Sequence, residues 1–268
     1  MSQIISAVLI VGGTGLLFGC ILAVASVIFK VEGNEKAERI LEVLPGANCG
    51  GCGYAGCSAY AEAAAEGKAP VNACSVGKAA VAEKIAEIMG GSVPDSEPMR
   101  AYVLCSGTCD VAKNKYEYAG IADCNAANML AGGEKSCRFG CIGLGSCAAA
   151  CQFGAITLKD GAAYVDAEKC VACGKCVEAC PKNIITLVPQ KAKYVVSCSS
   201  KERGAAVMAA CKAGCVACGL CQKVCPSGAI KVEDNLAKID YSLCTSCGLC
   251  AEKCPKKIIH KSGDTNSN

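Results

Sequence analysis

Three stretches of this 268-residue chain repeat the pattern Cys-x2-Cys-x2-Cys-x3-Cys-Pro, and they begin at Cys170, Cys215 and Cys244. Three thiolates within seven residues can surround one corner of a [4Fe–4S] cubane. The fourth cysteine points away, and the proline turns the chain so that this thiolate reaches a neighbouring cluster. The spacing therefore predicts an electron carrier that is built on several [4Fe–4S] clusters.

The cysteine content, 26 of 268 residues, has two other interpretations. Small secreted proteins use cysteine this densely for disulfides, but this chain has no cleavable signal peptide and disulfides do not require this spacing. Zinc prefers two separated Cys-x2-Cys pairs, so three close cysteines with a distant fourth suit zinc poorly. We favour iron–sulfur clusters, and a non-redox structural or sensor protein held together by metal is the alternative.

An internal repeat organises the C-terminal half of the chain. A shift of 74 residues superposes Cys170 on Cys244, and continuing it backwards pairs Cys124 with Cys198. Within the first copy, residues 155–165 predict a short hairpin with a turn at 160–161, because Asp-Gly favours a two-residue β-turn. The predicted fold class is therefore α+β, with two tandem ferredoxin-like domains that each hold two clusters.

The two copies differ at one ligand position, where the second has Cys218 and the first has Leu144. We expect Cys137 to supply the missing thiolate. With the fourth cysteine of each run crossing to the other cluster, the first copy uses Cys137, Cys141, Cys147 and Cys180 for one cluster, and Cys151, Cys170, Cys173 and Cys176 for the other. The second copy uses Cys215, Cys218, Cys221 and Cys254, and Cys225, Cys244, Cys247 and Cys250.

A separate four-thiolate module precedes the repeats. Its glycine-rich loop, 48–57, lies between predicted helices at 35–44, 58–66 and 78–89, and glycines allow the backbone to approach a bulky cofactor. The predicted ligands are Cys49, Cys52, Cys57 and Cys74. A plain zinc site is the alternative for this module.

These five clusters leave six cysteines without a role. We predict a sixth cluster on Cys105, Cys124, Cys198 and Cys211, with Cys109 as the alternative to Cys105. Buried structural thiols are the other interpretation of these residues. Cys20 lies in the N-terminal apolar segment, where we interpret it as a small apolar side chain.

The N-terminal segment from Ile4 to Phe29 contains no charged residue. Its 26 residues exceed the roughly 20 that span a bilayer core, and no basic region precedes it as in a signal peptide. We predict a single transmembrane anchor. Because Lys30, Lys36 and Arg39 follow it, the positive-inside rule places the remainder of the chain in the cytoplasm, at the cell (inner) membrane.

The predicted domain boundaries follow from these parts. They are an anchor at 1–30, the four-cysteine module at 31–92, a linker and cysteine-containing connector at 93–134, a first ferredoxin-like domain at 135–190, a connector at 191–212, a second ferredoxin-like domain at 213–260 and a polar tail at 261–268.

Composition and motifs exclude several functions. The formal charge of +3 comes without a basic stripe interleaved with aromatic residues, which argues against nucleic-acid binding. The chain has no nucleotide-binding glycine motif, and its one histidine, His260, cannot form a Ser–His–Asp set. We expect no catalytic side chains. Six lysines lie beside the predicted ligands and could attract an acidic ferredoxin. An ordinary solvated surface is the alternative interpretation. The six are Lys175, Lys182, Lys223, Lys253, Lys256 and Lys257.

The order of parts and the 48–57 loop with Cys74 resemble the B subunit of the Rnf complex, an ion-translocating ferredoxin:NAD oxidoreductase. The resemblance covers essentially the whole chain. It implies that ferredoxin docks on the cytoplasmic domain, and that electrons pass through the clusters to membrane and flavin subunits and then to NAD, while Na⁺ or H⁺ crosses the membrane. A membrane-anchored reductase of a redox-sensing regulator, or an iron–sulfur adapter of another redox complex, would need the same row of clusters.

Overall fold

The computed structural model describes residues 2–28, 34–94 and 97–261 of the chain. Helix α1 is Ser2–Ile28, and its side chains are described for residues 12–25. Within these ranges no helix meets the length and apolarity of a membrane span, so the anchor stays a prediction. Lys30 and the polar tail after residue 261 lie outside the described residues.

The module that follows consists of three helices, α2 (Glu35–Val43), α3 (Cys57–Ala65) and α4 (Lys78–Met89). Their positions confirm the three predicted helices. Ile40, Tyr60 and Ile85 are buried between them, and burial of such side chains contributes about 1.5–3 kcal/mol each. The apolar core of this small module is what holds its glycine-rich loop in place.

The first ferredoxin-like unit combines short helices with two separate pairs of strands. The hairpin of β2 and β3 turns at Asp160 and Gly161, both with left-handed φ, which confirms the predicted turn. The pairing of β1 with β4 is antiparallel, so the connector before residue 135 contributes a strand to this unit. The elements in order are β1 (Met99–Val103), α5 (Cys124–Met129), α6 (Ser146–Ala149), β2 (Ile156–Lys159), β3 (Ala162–Val165), α7 (Lys175–Glu178) and β4 (Ile185–Pro189).

The second unit has the same strand pairing: β6 pairs with β7 in a hairpin, and β5 pairs with β8. Its second connector, before residue 213, likewise contributes a strand. The elements are β5 (Tyr194–Val196), α8 (Gly204–Ala210), α9 (Leu220–Lys223), β6 (Ile230–Glu233), β7 (Leu236–Ile239), α10 (Leu249–Glu252) and β8 (Ile259–Lys261).

Strands β1 and β5 are structural counterparts. The N–H of Leu104, just after β1, donates to the carbonyl of Ile184 at 2.7 Å, and the N–H of Ser197, just after β5, donates to that of Ile258 at 2.8 Å. The two donors are 93 residues apart in the sequence, whereas the two acceptors are 74 residues apart. The first copy therefore has extra residues between β1 and the acceptor. The predicted pairing of Cys124 with Cys198 is therefore wrong: the structural counterpart of Cys198 is Cys105.

Direct hydrogen bonds join the two units. The hydroxyls of Tyr102 and Ser197, both buried, share a hydrogen bond of 2.7 Å. The backbone N–H of Lys113 donates to the carbonyl of Ala210 at 2.9 Å, and that of Lys212 donates to Val111 at 2.8 Å. Residues that follow β1 thus pair with residues that precede the second ligand run, and this places cysteines from both copies side by side.

Candidate iron–sulfur sites

The three Cys-Pro runs share one local conformation. The residue before the second cysteine has a left-handed φ in each run, at Ala172, Ala217 and Ser246, and the glycine after that cysteine does too. A one-turn helix follows, α7, α9 or α10, and each of these helices contains the third cysteine. These turns bend the backbone tightly between ligands, so three thiols fall on one side of a short loop.

Five cavities are lined by four cysteines apiece. Among the described residues, no three His, Cys, Asp or Glu side chains converge as they would around a single metal ion. Three of the five cavities group the cysteines as predicted. They are site 1 (Cys49, Cys52, Cys57 and Cys74), site 2 (Cys151, Cys170, Cys173 and Cys176) and site 5 (Cys215, Cys218, Cys221 and Cys254).

Site 3 differs from the predicted group, because Cys124 lines its cavity together with Cys141, Cys147 and Cys180. The predicted assignment of Cys137 to this site is corrected. Asp123 accepts a hydrogen bond from the N–H of Ala126 at 2.9 Å and so caps α5, whose first residue is Cys124. The hydroxyl of Ser146 donates to Asp123 and accepts from the N–H of Cys124, both at 2.7 Å. Site 3 lacks one local thiol because Leu144 stands where the second copy has a cysteine. The extra residues after β1 supply the missing thiol as Cys124.

Site 4 is lined by Cys105, Cys137, Cys198 and Cys211, so Cys137 takes the place predicted for Cys124. Each copy contributes one pair of these cysteines. The two pairs are related in the same way to their own units: the N–H of Cys141 donates to the Cys105 sulfur at 3.3 Å, and the N–H of Cys215 donates to the Cys198 sulfur at 3.3 Å. Site 4 therefore lies at the junction of the two copies, and neither copy could form this site alone.

The remaining ligand candidates form site 6, at the position that the repeat relates to site 2. Cys225 packs against the buried cluster that contains Cys250, and the sulfur of Cys244 accepts from the N–H of Ser246 at 3.4 Å. Cys20 and Cys109 are exposed and line none of these sites. The predicted ligands of site 6 are Cys225, Cys244, Cys247 and Cys250.

Burial controls the protonation of these thiols. It raises the pKa of Cys147 to about 12, with neighbouring Cys141 and Cys124 adding to the rise, and raises the pKa of Cys141 and of Cys198 to about 11. Without a metal such groups would be neutral thiols at pH 7, because low dielectric disfavours the thiolate. A bound iron–sulfur cluster would supply the positive iron charge that keeps these cysteines as thiolates.

Backbone N–H groups point at many of these sulfurs. In the described ranges, seven such hydrogen bonds of 3.3 to 3.4 Å reach Cys74, Cys105, Cys151, Cys170, Cys198 and Cys244. Hydrogen bonds to cluster sulfurs are one of the ways in which a protein adjusts a cluster's reduction potential. Apolar walls, four thiols and N–H···S contacts together fit a [4Fe–4S] cluster.

The sites follow one another through direct contacts. A Cβ placed on Gly51 would lie 2.8 Å from the Cα of Cys173, so the module loop touches the site 2 loop at its backbone. Cysteines of sites 2 and 3 share one buried cluster, and cysteines of sites 5 and 6 share another. The bonds from Cys141 and Cys215 connect site 4 to sites 3 and 5, so the order of contacts follows the numbering of the sites.

Comparison with known families supports iron–sulfur binding by these parts of the chain. Residues 44–76 match a family described as "Putative Fe-S cluster", and residues 136–184, 169–229 and 214–258 match the 4Fe-4S dicluster domain. The B subunit of the proton-translocating ferredoxin:NAD(+) oxidoreductase complex of Clostridium ljungdahlii is 47% identical over 91% of this chain and 86% of its own length.

The chain belongs to the B-subunit family of ion-translocating oxidoreductase complexes. The B subunit of the Na(+)-translocating ferredoxin:NAD(+) oxidoreductase complex of Acetobacterium woodii is 46% identical over 90% of this chain and 73% of its own length. The B subunit of the ion-translocating oxidoreductase complex of Methanosarcina acetivorans is 42% identical, over 89% of this chain and 91% of its own length. The family assignment confirms the resemblance that the cysteine pattern indicated.

Sequence reasoning missed one buried charge beside the sites, Lys135, which is 3% exposed and lines the site 4 cavity. It also missed the equivalence of Cys105 and Cys198. A usable signal was present, because Val-x-Cys-Ser occurs at 103–106 and again at 196–199.

Proposed function

We propose that this chain holds a [4Fe–4S] cluster at each of its six sites and connects reduced ferredoxin to the other subunits of its complex. As a family member it is the electron-transfer subunit of a translocase-type ferredoxin:NAD(+) oxidoreductase. A [4Fe–4S] cluster supplies one-electron transfer when it is bound. The protein's part is to hold the thiolates, exclude water and keep neighbouring sites close.

The observation that carries this proposal is the unbroken row of sites. Contacts at Cys173, Cys141 and Cys215 join site 1 to site 2 and site 4 to sites 3 and 5, and shared buried clusters join site 2 to site 3 and site 5 to site 6. A structural metal protein would not need its sites in contact with one another. A relay does need this, because electrons must pass between neighbouring centres.

The two ends of the row differ in charge and exposure. Cys218 of site 5 and Cys247 of site 6 are exposed, and residues 191–261 contain twelve Lys or Arg against five Asp or Glu. A positive surface next to an exposed centre accelerates the association of an acidic partner. We therefore place the docking of an acidic ferredoxin at sites 5 and 6.

Site 1 lies at the opposite end, close in sequence to the segment that we propose as a membrane anchor. The support for an anchor is the uncharged stretch from Ile4 to Phe29 and membership of an ion-translocating family. In this proposal the module faces the membrane subunits, and the C-terminal end remains open to a mobile carrier.

Iron and sulfide analysis of anaerobically purified protein tests the cluster content. We expect about 24 iron atoms per chain, since each cubane holds four, and EPR signals after reduction. Sixteen or fewer iron atoms in fully loaded protein, or stoichiometric zinc, would contradict the six sites. The role in the complex is tested separately: membranes that lack this subunit should lose ferredoxin-dependent NAD reduction and regain it when the full chain is restored.

A further inference from the structure

Lys135 is a buried lysine whose side-chain hydrogen bonds, among the residues that the structure describes, go to two backbone oxygens. Its ammonium group donates to the carbonyl of Gly107 at 2.7 Å and to that of Gly161 at 2.6 Å. Gly107 lines the site 4 cavity, and Gly161 forms the turn of the β2–β3 hairpin, against which Gly143 of the site 3 loop packs. The ammonium group is thus held between the two sites.

In the part of the chain that the structure describes, no carboxylate forms an ion pair with Lys135. Buried charges are normally paired, because an isolated one is costly to desolvate. The residues that line the site 4 cavity beside Lys135 include no Asp or Glu, so the groups there that can become negative are the cysteines.

The second copy has no such residue. The repeat places Ala209 where the first copy has Lys135, so site 5 lacks the neighbour that site 3 has. Reduction adds one negative charge to a cluster, and a fixed positive charge in a low-dielectric environment stabilises the reduced form.

We propose that Lys135 is a tuning residue whose charge raises the reduction potentials of the clusters at sites 3 and 4 relative to those at sites 5 and 6. This inference rests on the proposed cluster content. With these potentials, electrons that enter at the C-terminal end are held preferentially at sites 3 and 4. Electron transfer from sites 5 and 6 to sites 3 and 4 is then thermodynamically favourable.

The test is an EPR-monitored redox titration of the full-length, anaerobically purified protein with three substitutions. Lys135→Met removes the charge and both hydrogen bonds, Lys135→Gln keeps a donor without the charge, and Lys135→Arg keeps the charge. The signals of sites 3 and 4 are identified as those that Cys124→Ser and Cys137→Ser remove. Lys115→Met is the matched control, because exposed Lys115 also donates to a backbone carbonyl, that of Ala131, at 2.6 Å.

We expect Lys135→Met and Lys135→Gln to lower the reduced-to-oxidised ratio of sites 3 and 4 about tenfold at a fixed ambient potential, which is about 59 mV for one electron. Lys135→Arg and Lys115→Met should leave the ratio unchanged. Full iron content with unchanged ratios in the Met and Gln variants would overturn the inference. So would iron loss in all three variants, or an equal shift with Arg and Gln, since these point to a structural role. If wild-type protein lacks the iron of sites 3 and 4, the proposed cluster content fails instead.

Discussion

The two ferredoxin-like copies complete their sites differently. In the second copy, the run at 215–225 supplies three close thiols to site 5, including Cys218. In the first, Leu144 occupies that position and Cys124 arrives from α5. The second copy also leaves Cys247 exposed, whereas its counterpart Cys173 touches the module loop. A cluster site can therefore lose a local ligand if an insertion supplies a distant one, and the same inserted chain helps to build the junction between copies.

The strongest test of this difference is to move the ligand. Cys124→Ser should remove about four iron atoms, because it takes one thiolate from site 3. Adding Leu144→Cys to that variant should restore them, since it recreates the ligand set of the second copy. Iron analysis and EPR measure both steps. Cys137→Ser should instead remove the site 4 signal, and loss of the site 3 signal in that variant would favour the grouping expected from sequence.

The contact between the module and the first copy depends on Gly51. In Gly51→Ala the new methyl would lie 2.8 Å from the Cα of Cys173, and overpacking of this kind costs about 1–3 kcal/mol. We expect faster hydrogen exchange around the module loop and slower electron transfer between sites 1 and 2, with the iron content unchanged. Gly91→Ala is the control, because nothing lies within 4 Å of its Cβ position. Equal behaviour of the two variants would show that the contact does not hold the module.

The junction between the copies contains the buried hydrogen bond of Tyr102 and Ser197. Tyr102→Phe leaves the Ser197 hydroxyl without this partner, and we expect the free energy of unfolding to fall by about 1–2 kcal/mol. Anaerobic denaturant titration of the holoprotein measures the change. Tyr118→Phe, which removes an exposed hydroxyl that donates to Ile121 at 3.0 Å, should change stability by less than about 0.5 kcal/mol. If Tyr102→Phe also lowered the free energy of unfolding by less than about 0.5 kcal/mol, the backbone hydrogen bonds alone would hold the junction.

A surface ion pair also crosses this junction, and we expect its removal to have the smallest effect on the free energy of unfolding. Arg138 and Glu202 approach to 2.9 Å, with side chains 70% and 39% exposed. Exposed pairs contribute about 0–1 kcal/mol and are screened by salt. Arg138→Ala should therefore change the free energy of unfolding by less than about 1 kcal/mol at low salt and by less still at high salt. A larger, salt-independent loss would mean that Arg138 stabilises the junction by its packing on Phe139.

Local spacing determined much of this protein. The three Cys-Pro runs, the four-cysteine module, the Asp-Gly turn and the three module helices could all be predicted from the sequence, because each depends on residues a few positions apart. The cysteines that line the five cavities all belong to the 24 that were predicted as ligands. The same pattern indicated the family, which the relatives confirm.

Only the tertiary structure decided how the isolated cysteines are grouped. Cys124 and Cys137 exchange their predicted sites, because a thiol outside a run is placed by packing rather than by spacing. The hydrogen bonds of Asp123 and Ser146 hold Cys124 at site 3. A constant 74-residue shift could not detect that the first copy is longer after β1. The position of Lys135 is also non-local: its charge matters only because the fold brings residues 107 and 161 to its ammonium group.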